Sequence, residues 1–185
     1  MRKLFLIVAM AFALPIIAQA QDSPRTEIFG GYSYLRLDDD VNDDRDLNGW
    51  NASVNQTIFK KWLGFKADFS GAYGDFRALG PGTDLSTHLF LFGPQFTLRK
   101  SERFQPFGHV LFGAARADLD NDIIGLDIED TAFAMAVGGG LDVKVLNRMS
   151  VRLFQADYVL TRFDDNNQHN FRASTGLVLR LGSVD

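Results

Sequence analysis

No cysteine occurs among the 185 residues. That excludes disulfides, thiolate metal centres and cysteine nucleophiles, and it removes the residue that lipoprotein acylation modifies. Histidine is scarce: three copies, His88, His109 and His169, are scattered along the chain. No His-x-Ser pair and no nucleophile elbow accompanies them, so no positioned nucleophile and base can be recognised. Basic residues are outnumbered, 19 against 23 acidic ones, for a net charge of −4; this argues against nucleic-acid binding. Beyond residue 20 no run approaches 18 apolar residues, so no spanning helix is expected. Helical spacing is almost absent.

What is present is a single-domain length and a composition, 46% hydrophobic and 23% charged, too apolar for disorder. Arg2 and Lys3 precede the run LFLIVAMAFALPIIA, and Ala18-Gln19-Ala20 follows. Basic, apolar, then small-x-small is the pattern of a secretory signal peptide. Residues 1–20 are expected to be removed, leaving a domain over 21–185. Losing Arg2 and Lys3 takes the net charge from −4 to −6.

The remainder alternates. In NFRASTGLVLRL, Phe171, Ala173, Thr175, Leu177, Leu179 and Leu181 share one face, and Asn170, Arg172, Ser174, Gly176, Val178 and Arg180 share the other. That is a β-strand with two unlike faces. Seven more strands are expected at 26–37, 47–59, 62–76, 85–99, 103–117, 131–145 and 149–163. Short connections (60–61, 100–102, 146–148) alternate with long ones (38–46, 77–84, 118–130, 164–169). Strands of about ten residues joined this way are the signature of an outer-membrane barrel with tight periplasmic turns.

The faces decide between a soluble and a membrane barrel. Leu63, Phe65, Ala67, Phe69, Gly71 and Tyr73 oppose Lys66, Asp68 and Ser70. Trp50, Ala52, Val54 and Ile58 oppose Asn51, Ser53, Asn55 and Thr57. Phe90, Phe92, Phe96 and Leu98 oppose Gln95 and Thr97, and Phe133, Met135, Val137, Leu141 and Val143 oppose Asp142 and Lys144. So many phenylalanines overfill a narrow interior, whereas the Gly-, Ser- and Asn-rich faces fit one. The expectation is an all-β, eight-stranded antiparallel up-and-down transmembrane barrel, apolar outside and polar within. A lumen charge network follows: Lys66, Lys144, Arg152, Arg172 and Arg180 against Glu27, Asp68, Asp142 and Asp157, with His109 as a further candidate, because buried charges need partners. The phase of 149–163 breaks, which calls for a β-bulge near Leu153 to Gln155. In the first strand Tyr32 and Tyr34 face lipid, but Leu35 and Leu37 fit the pattern poorly. Phe59, Trp62 and Phe104 at the short turns, and Tyr73, Phe76 and Phe163 at the long connections, read as two aromatic girdles.

On FGGYSYLR, FGHVLFGAAR, QADYVLTRF and the last strand, residues 26–181 resemble the small eight-stranded outer-membrane barrels, the OmpA-like and OmpX-like porin-family domain. The resemblance implies a Gram-negative outer-membrane location, contact with outer-membrane lipids and lipopolysaccharide, and recognition by the barrel assembly machinery. Ser174-x-Gly176-x-x-Leu179-x-Leu181 looks like the signal that machinery reads. Such proteins often stop on a terminal aromatic, whereas GSVD follows Leu181 here.

The connections are acidic. Asp118, Asp120, Asp122 and Glu129 fall at calcium-loop spacing, but Ile123 stands where that loop needs glycine and no helices flank it. The rim is therefore read as solvated, with no metal and no cofactor. GGG at 138–140 precedes no helix and is no phosphate loop; it makes space for neighbouring side chains or a bend. The functional expectation is a non-enzymatic, integral outer-membrane protein with a structural or surface-interaction role. An unknown extracellular ligand would bind at its loops. The alternative is a narrow channel for ions or small solutes.

Overall fold

The computed structural model describes residues 26–37, 45–59, 62–75, 83–99, 101, 103–121, 126–163 and 166–182; residues 1–20, expected to be a signal peptide, and Phe76 lie outside them. Eight strands run in order: β1 (Thr26–Leu37), β2 (Arg45–Phe59), β3 (Leu63–Asp75), β4 (Thr83–Thr97), β5 (Phe104–Asn121), β6 (Leu126–Leu146), β7 (Met149–Phe163) and β8 (Asn166–Leu181). Each pairs antiparallel with the next, and β1 pairs with β8 from Thr26↔Leu181 to Leu37↔Asn170. The barrel is closed, which leaves no sheet edge within the wall. Closing eight strands tilts them by roughly 35–45° and leaves an interior that side chains fill.

The alternation resolves as expected. Along β8, Arg172 is 1% exposed and Arg180 5%, while Phe171, Leu177, Leu179 and Leu181 are about half exposed. Lys66 and Asp68 of β3 are fully buried, and Phe65 and Tyr73 of the same strand are exposed. Large apolar groups outside and charges inside invert the usual soluble arrangement.

The register of β7 shifts against both neighbours. Leu141 opposes Phe154 but Asp142 opposes Arg152, and on the other side Arg152 opposes Gly176 while Gln155 opposes Ser174. One extra residue at Leu153–Phe154 forms the expected bulge, leaves both side chains exposed, and lets Arg152 and Gln155 both point inward. Between β4 and β5 the ladder lapses at Gly93 and Pro94, where the imide has no N–H to give.

Two expectations are corrected. The connection 118–130 is mostly strand: ladder pairs continue through Asp118↔Glu129 to Asn121↔Leu126, and β8 likewise begins at Asn166, inside the expected loop 164–169. Secondly, the lumen is not polar throughout. Leu35 is buried inside with Leu47 and Ala72, with Leu37 and Leu85 packed beside them, which accounts for the misfit of Leu35 and Leu37. A larger cluster joins Leu89, Leu91, Leu111, Ala115, Ala134, Ala136 and Val159.

Candidate functional site

The middle of the lumen is organised around Arg172 of β8. Its Nε and one Nη donate to Asp157 Oδ2 of β7 at 2.9 and 2.6 Å, and the other Nη donates to Asp68 Oδ1 of β3 at 2.8 Å and to Ser70 Oγ at 2.9 Å. Lys66 Nζ lies 3.0 Å from Asp68 Oδ2 and donates to Gln155 Oε1 at 3.3 Å. His109 Nε2 is 2.9 Å from Asp157 Oδ1, and Asn51 donates its amide to Asp68 at 2.9 Å. All these side chains are buried. Such burial is tolerable only because each carboxylate meets several charge-assisted donors.

Toward the short-turn end stands a second layer. Arg152 grips Asp142 with two N–H groups at 2.8 and 3.1 Å and donates to Gln155 Oε1 at 2.6 Å. Gln155 in turn donates to Asp157 at 2.7 Å, joining the layers. The Arg152 guanidinium lies 4.3 Å from the Phe29 ring centroid and 4.2 Å from that of Phe107, a desolvated cation against two aromatic rings. A third layer follows: Glu27 accepts from Arg99 at 3.0 Å and from Asn55 at 3.1 Å, with Arg180 Nε 3.4 Å away. Arg180 and Arg99 both donate to Gln105, at 2.7 and 3.3 Å.

The glycines of 138–140 make room for this network. A methyl on Gly138 would stand 2.1 Å from Asp157 Oδ1 and 2.3 Å from Ala156 O; one on Gly140 would stand 2.9 Å from Cζ of Phe107. Gly138→Ala should therefore lower stability by roughly 1–3 kcal/mol through overpacking. The check is a lower urea midpoint for the lipid-embedded barrel at unchanged slope.

Of the nine expected lumen charges, Glu27, Lys66, Asp68, Asp142, Arg152, Asp157, Arg172 and Arg180 are buried and within ion-pair distance of a partner. Lys144 differs: it is half-buried opposite Ser150 at the short-turn end, and among the described residues no ion pair of it is found. Sequence reasoning missed Arg99, Gln105 and Gln155. Arg99 shares the parity of Gln95 and Thr97, so the signal was present. Gln155 was hidden by the bulge. Of the residues read as an assembly signal, Gly176 faces Gly31 across the β1–β8 seam, and Leu179 and Leu181 are exposed on the outer wall.

The outer wall is apolar between two borders. At the short-turn end Trp62 stacks on Phe96, with Phe59 edge-on and Phe104 exposed. At the opposite end polar partners appear: Trp50 Nε1 donates to Tyr73 Oη at 3.4 Å, Tyr73 Oη lies 3.3 Å from His88 Nε2, and Tyr158 meets His169. Exposed Arg36, Arg116 and Arg162 stand at this border. Aromatic and polar girdles flanking an apolar band about 25 Å tall are what lipid requires. The three histidines are kept apart, His109 in the lumen, His88 and His169 on the outer wall.

A closed antiparallel sheet with an oily exterior and an ion-paired interior defines a transmembrane β-barrel. Residues 4–178 match the family model described as outer membrane protein beta-barrel domain, and the chain belongs to that family. Among solved structures it is similar to Neisserial surface protein A, NspA (TM-score 0.70, 13% identity, 84% of this chain and 97% of that one). It is also similar to Ail, the attachment invasion locus protein of Yersinia pestis, solved with the heparin analogue sucrose octasulfate (TM-score 0.59, 19% identity, 85% and 99%). OprG from Pseudomonas aeruginosa is a third (TM-score 0.57, 11% identity, 89% and 99%). At these identities the likeness concerns the fold. No curated protein matches the sequence.

Proposed function

We propose that the protein is a surface-interaction protein of the Gram-negative outer membrane, exported by its signal peptide and inserted by the barrel assembly machinery through the Gly176, Leu179, Leu181 signal. Its short turns face the periplasm and its acidic β5–β6 hairpin faces outward. The observation that carries this reading is the filled lumen. Ion-paired layers occupy the short-turn half, and Leu89, Leu91, Leu111 and Val159 occupy the other with essentially no exposure. A barrel so filled leaves the extracellular parts to carry specificity. Arg36, Arg116 and Arg162 at the outer border suit contact with the phosphates of lipopolysaccharide. The acidic hairpin is opposite in sign to what a polysulfated ligand needs, so the heparin analogue seen on Ail is not carried over.

The competing reading is a narrow channel. Reconstitution into planar bilayers separates the two: the expected record shows no unitary conductance steps above the lipid baseline. Reproducible steps would transfer the assignment to a channel.

A further inference from the structure

The charge of the lumen is balanced in its middle and unbalanced at one mouth. In the middle layer Lys66 and Arg172 meet Asp68 and Asp157, two cations against two carboxylates. Toward the short turns stand Arg99 just past β4, Lys144 of β6, Arg152 of β7 and Arg180 of β8, and among the described residues Glu27 and Asp142 are the carboxylates that answer them. Four cations against two carboxylates leave an excess of two. The short turns do not close it: their sequence adds Lys60, Lys61, Lys100 and Arg148 against Glu102.

Three of the four cations are committed. Arg152 grips Asp142, and Arg99 and Arg180 share Glu27 and Gln105. Lys144 is left over. No register shift interrupts the β5–β6 ladder, and the Lys144 N–H donates to Arg103 O, so Lys144 keeps the inward parity of Asp142. It stands half-buried at the mouth, and no ion pair of it is found among the described residues. Opposite it on β7 is Ser150. That side chain is fully buried, and its Oγ has no hydrogen-bond partner. A buried hydroxyl in that position costs free energy until an acceptor reaches it. Ser150 in turn faces Val178 of β8, two positions before Arg180. An uncommitted ammonium, an orphaned hydroxyl and a guanidinium charge thus lie on three consecutive strands at one end of the barrel.

We propose that this mouth binds a phosphate group, as the free anion or as a phosphomonoester. Lys144 Nζ and Ser150 Oγ donate to its oxygens, and Arg99 and Arg180 contribute charge. Such a group carries about −1.5 to −2 near neutral pH, which matches the excess, and its oxygens accept charge-assisted hydrogen bonds. A carboxylate would neutralise half of the excess. The flexible four-carbon stem of Lys144 swings to admit the anion to Ser150. The inference goes beyond the surface-interaction reading, since it concerns the opposite end of the barrel; only the periplasmic address of the site depends on the orientation proposed above.

The test is calorimetric titration of inorganic phosphate into the whole barrel in maltoside micelles, which carry no phosphate, at constant ionic strength near neutral pH. Saturable binding at one site per barrel is expected. Lys144→Gln should weaken it about tenfold and Ser150→Ala about fivefold, the sizes of one charge-assisted and one neutral hydrogen bond. Arg36→Gln at the far border should change it by less than about twofold. Acetate should bind at least about tenfold more weakly than phosphate. Nanodiscs separate the sources. If a lipid headgroup is the ligand, phosphatidic acid in the disc removes the response to added phosphate while phosphatidylcholine alone preserves it; if the ligand is free phosphate, both discs preserve it. The proposal is overturned if phosphate binding is not saturable, if acetate binds as tightly as phosphate, if either Lys144→Gln or Ser150→Ala binds like the parent, or if Arg36→Gln weakens binding as much as Lys144→Gln.

Discussion

Replacing Arg172 with methionine should lower the unfolding free energy by roughly 3–5 kcal/mol, the usual consequence of stripping one partner from a buried ion pair. Arg172 satisfies two carboxylates at once, Asp68 and Asp157, on opposite sides of the lumen. Its loss leaves Asp157 with His109 and Gln155, and Asp68 with Lys66 and Asn51. The measurement is a urea titration in lipid vesicles followed by the fluorescence of Trp50 and Trp62. Adding Asp157→Asn to Arg172→Met should recover part of the loss, since one orphaned charge disappears, and the coupling should fall within about 0.5–3 kcal/mol. A single-variant loss below about 1 kcal/mol would mean that water already solvates these groups, and the dry-network description would fail.

The second large effect lies on the other face. Phe92 is exposed midway along β4, where lipid is deepest. Phe92→Arg should cost about 2–4 kcal/mol, against about 0–1 kcal/mol for Tyr73→Arg at the border. Its neighbour Leu91 is fully buried, and Leu91→Ala should cost about 2–5 kcal/mol by opening a cavity. The pair separates the inverted wall from a soluble barrel. In water, an arginine in place of an exposed phenylalanine is nearly neutral, so equal and small effects at Phe92 and Tyr73 would remove the membrane assignment.

The sequence made the wall legible because alternation survives tilt, twist and closure. The faces of β3 and β8 could be assigned residue by residue, and even the β7 bulge announced itself as a parity break between Arg152 and Asp157. It was weaker where both faces are apolar. In Leu89-Phe90-Leu91-Phe92 every residue is greasy, so the faces are told apart only by carrying the parity of Gln95 and Thr97 back along the strand, which sets the leucines inside and the phenylalanines out. The acidic segment 118–130 was read as a loop because aspartate favours turns, although Leu119, Leu126 and Ile128 already alternated with charges. Partners across the lumen were not legible. Arg172 meets Asp68 across 104 positions of chain, and that meeting depends on eight registers at once. A slip of one residue in any of them would re-aim every side chain beyond it.

The seam between β1 and β8 carries a consequence for biogenesis. There Gly31 faces Gly176, and a side chain on Gly31 would meet Thr175 O at 2.0 Å, so the two backbones meet with no side chain between them. The strands that zip together at this line are the first and last of the barrel, and Ser33 finds Ser174 across 141 positions. Until β8 is in place, the sheet has two unsatisfied margins and nothing to seal them against. A chain truncated before Asn166 therefore yields only an open, aggregation-prone ribbon.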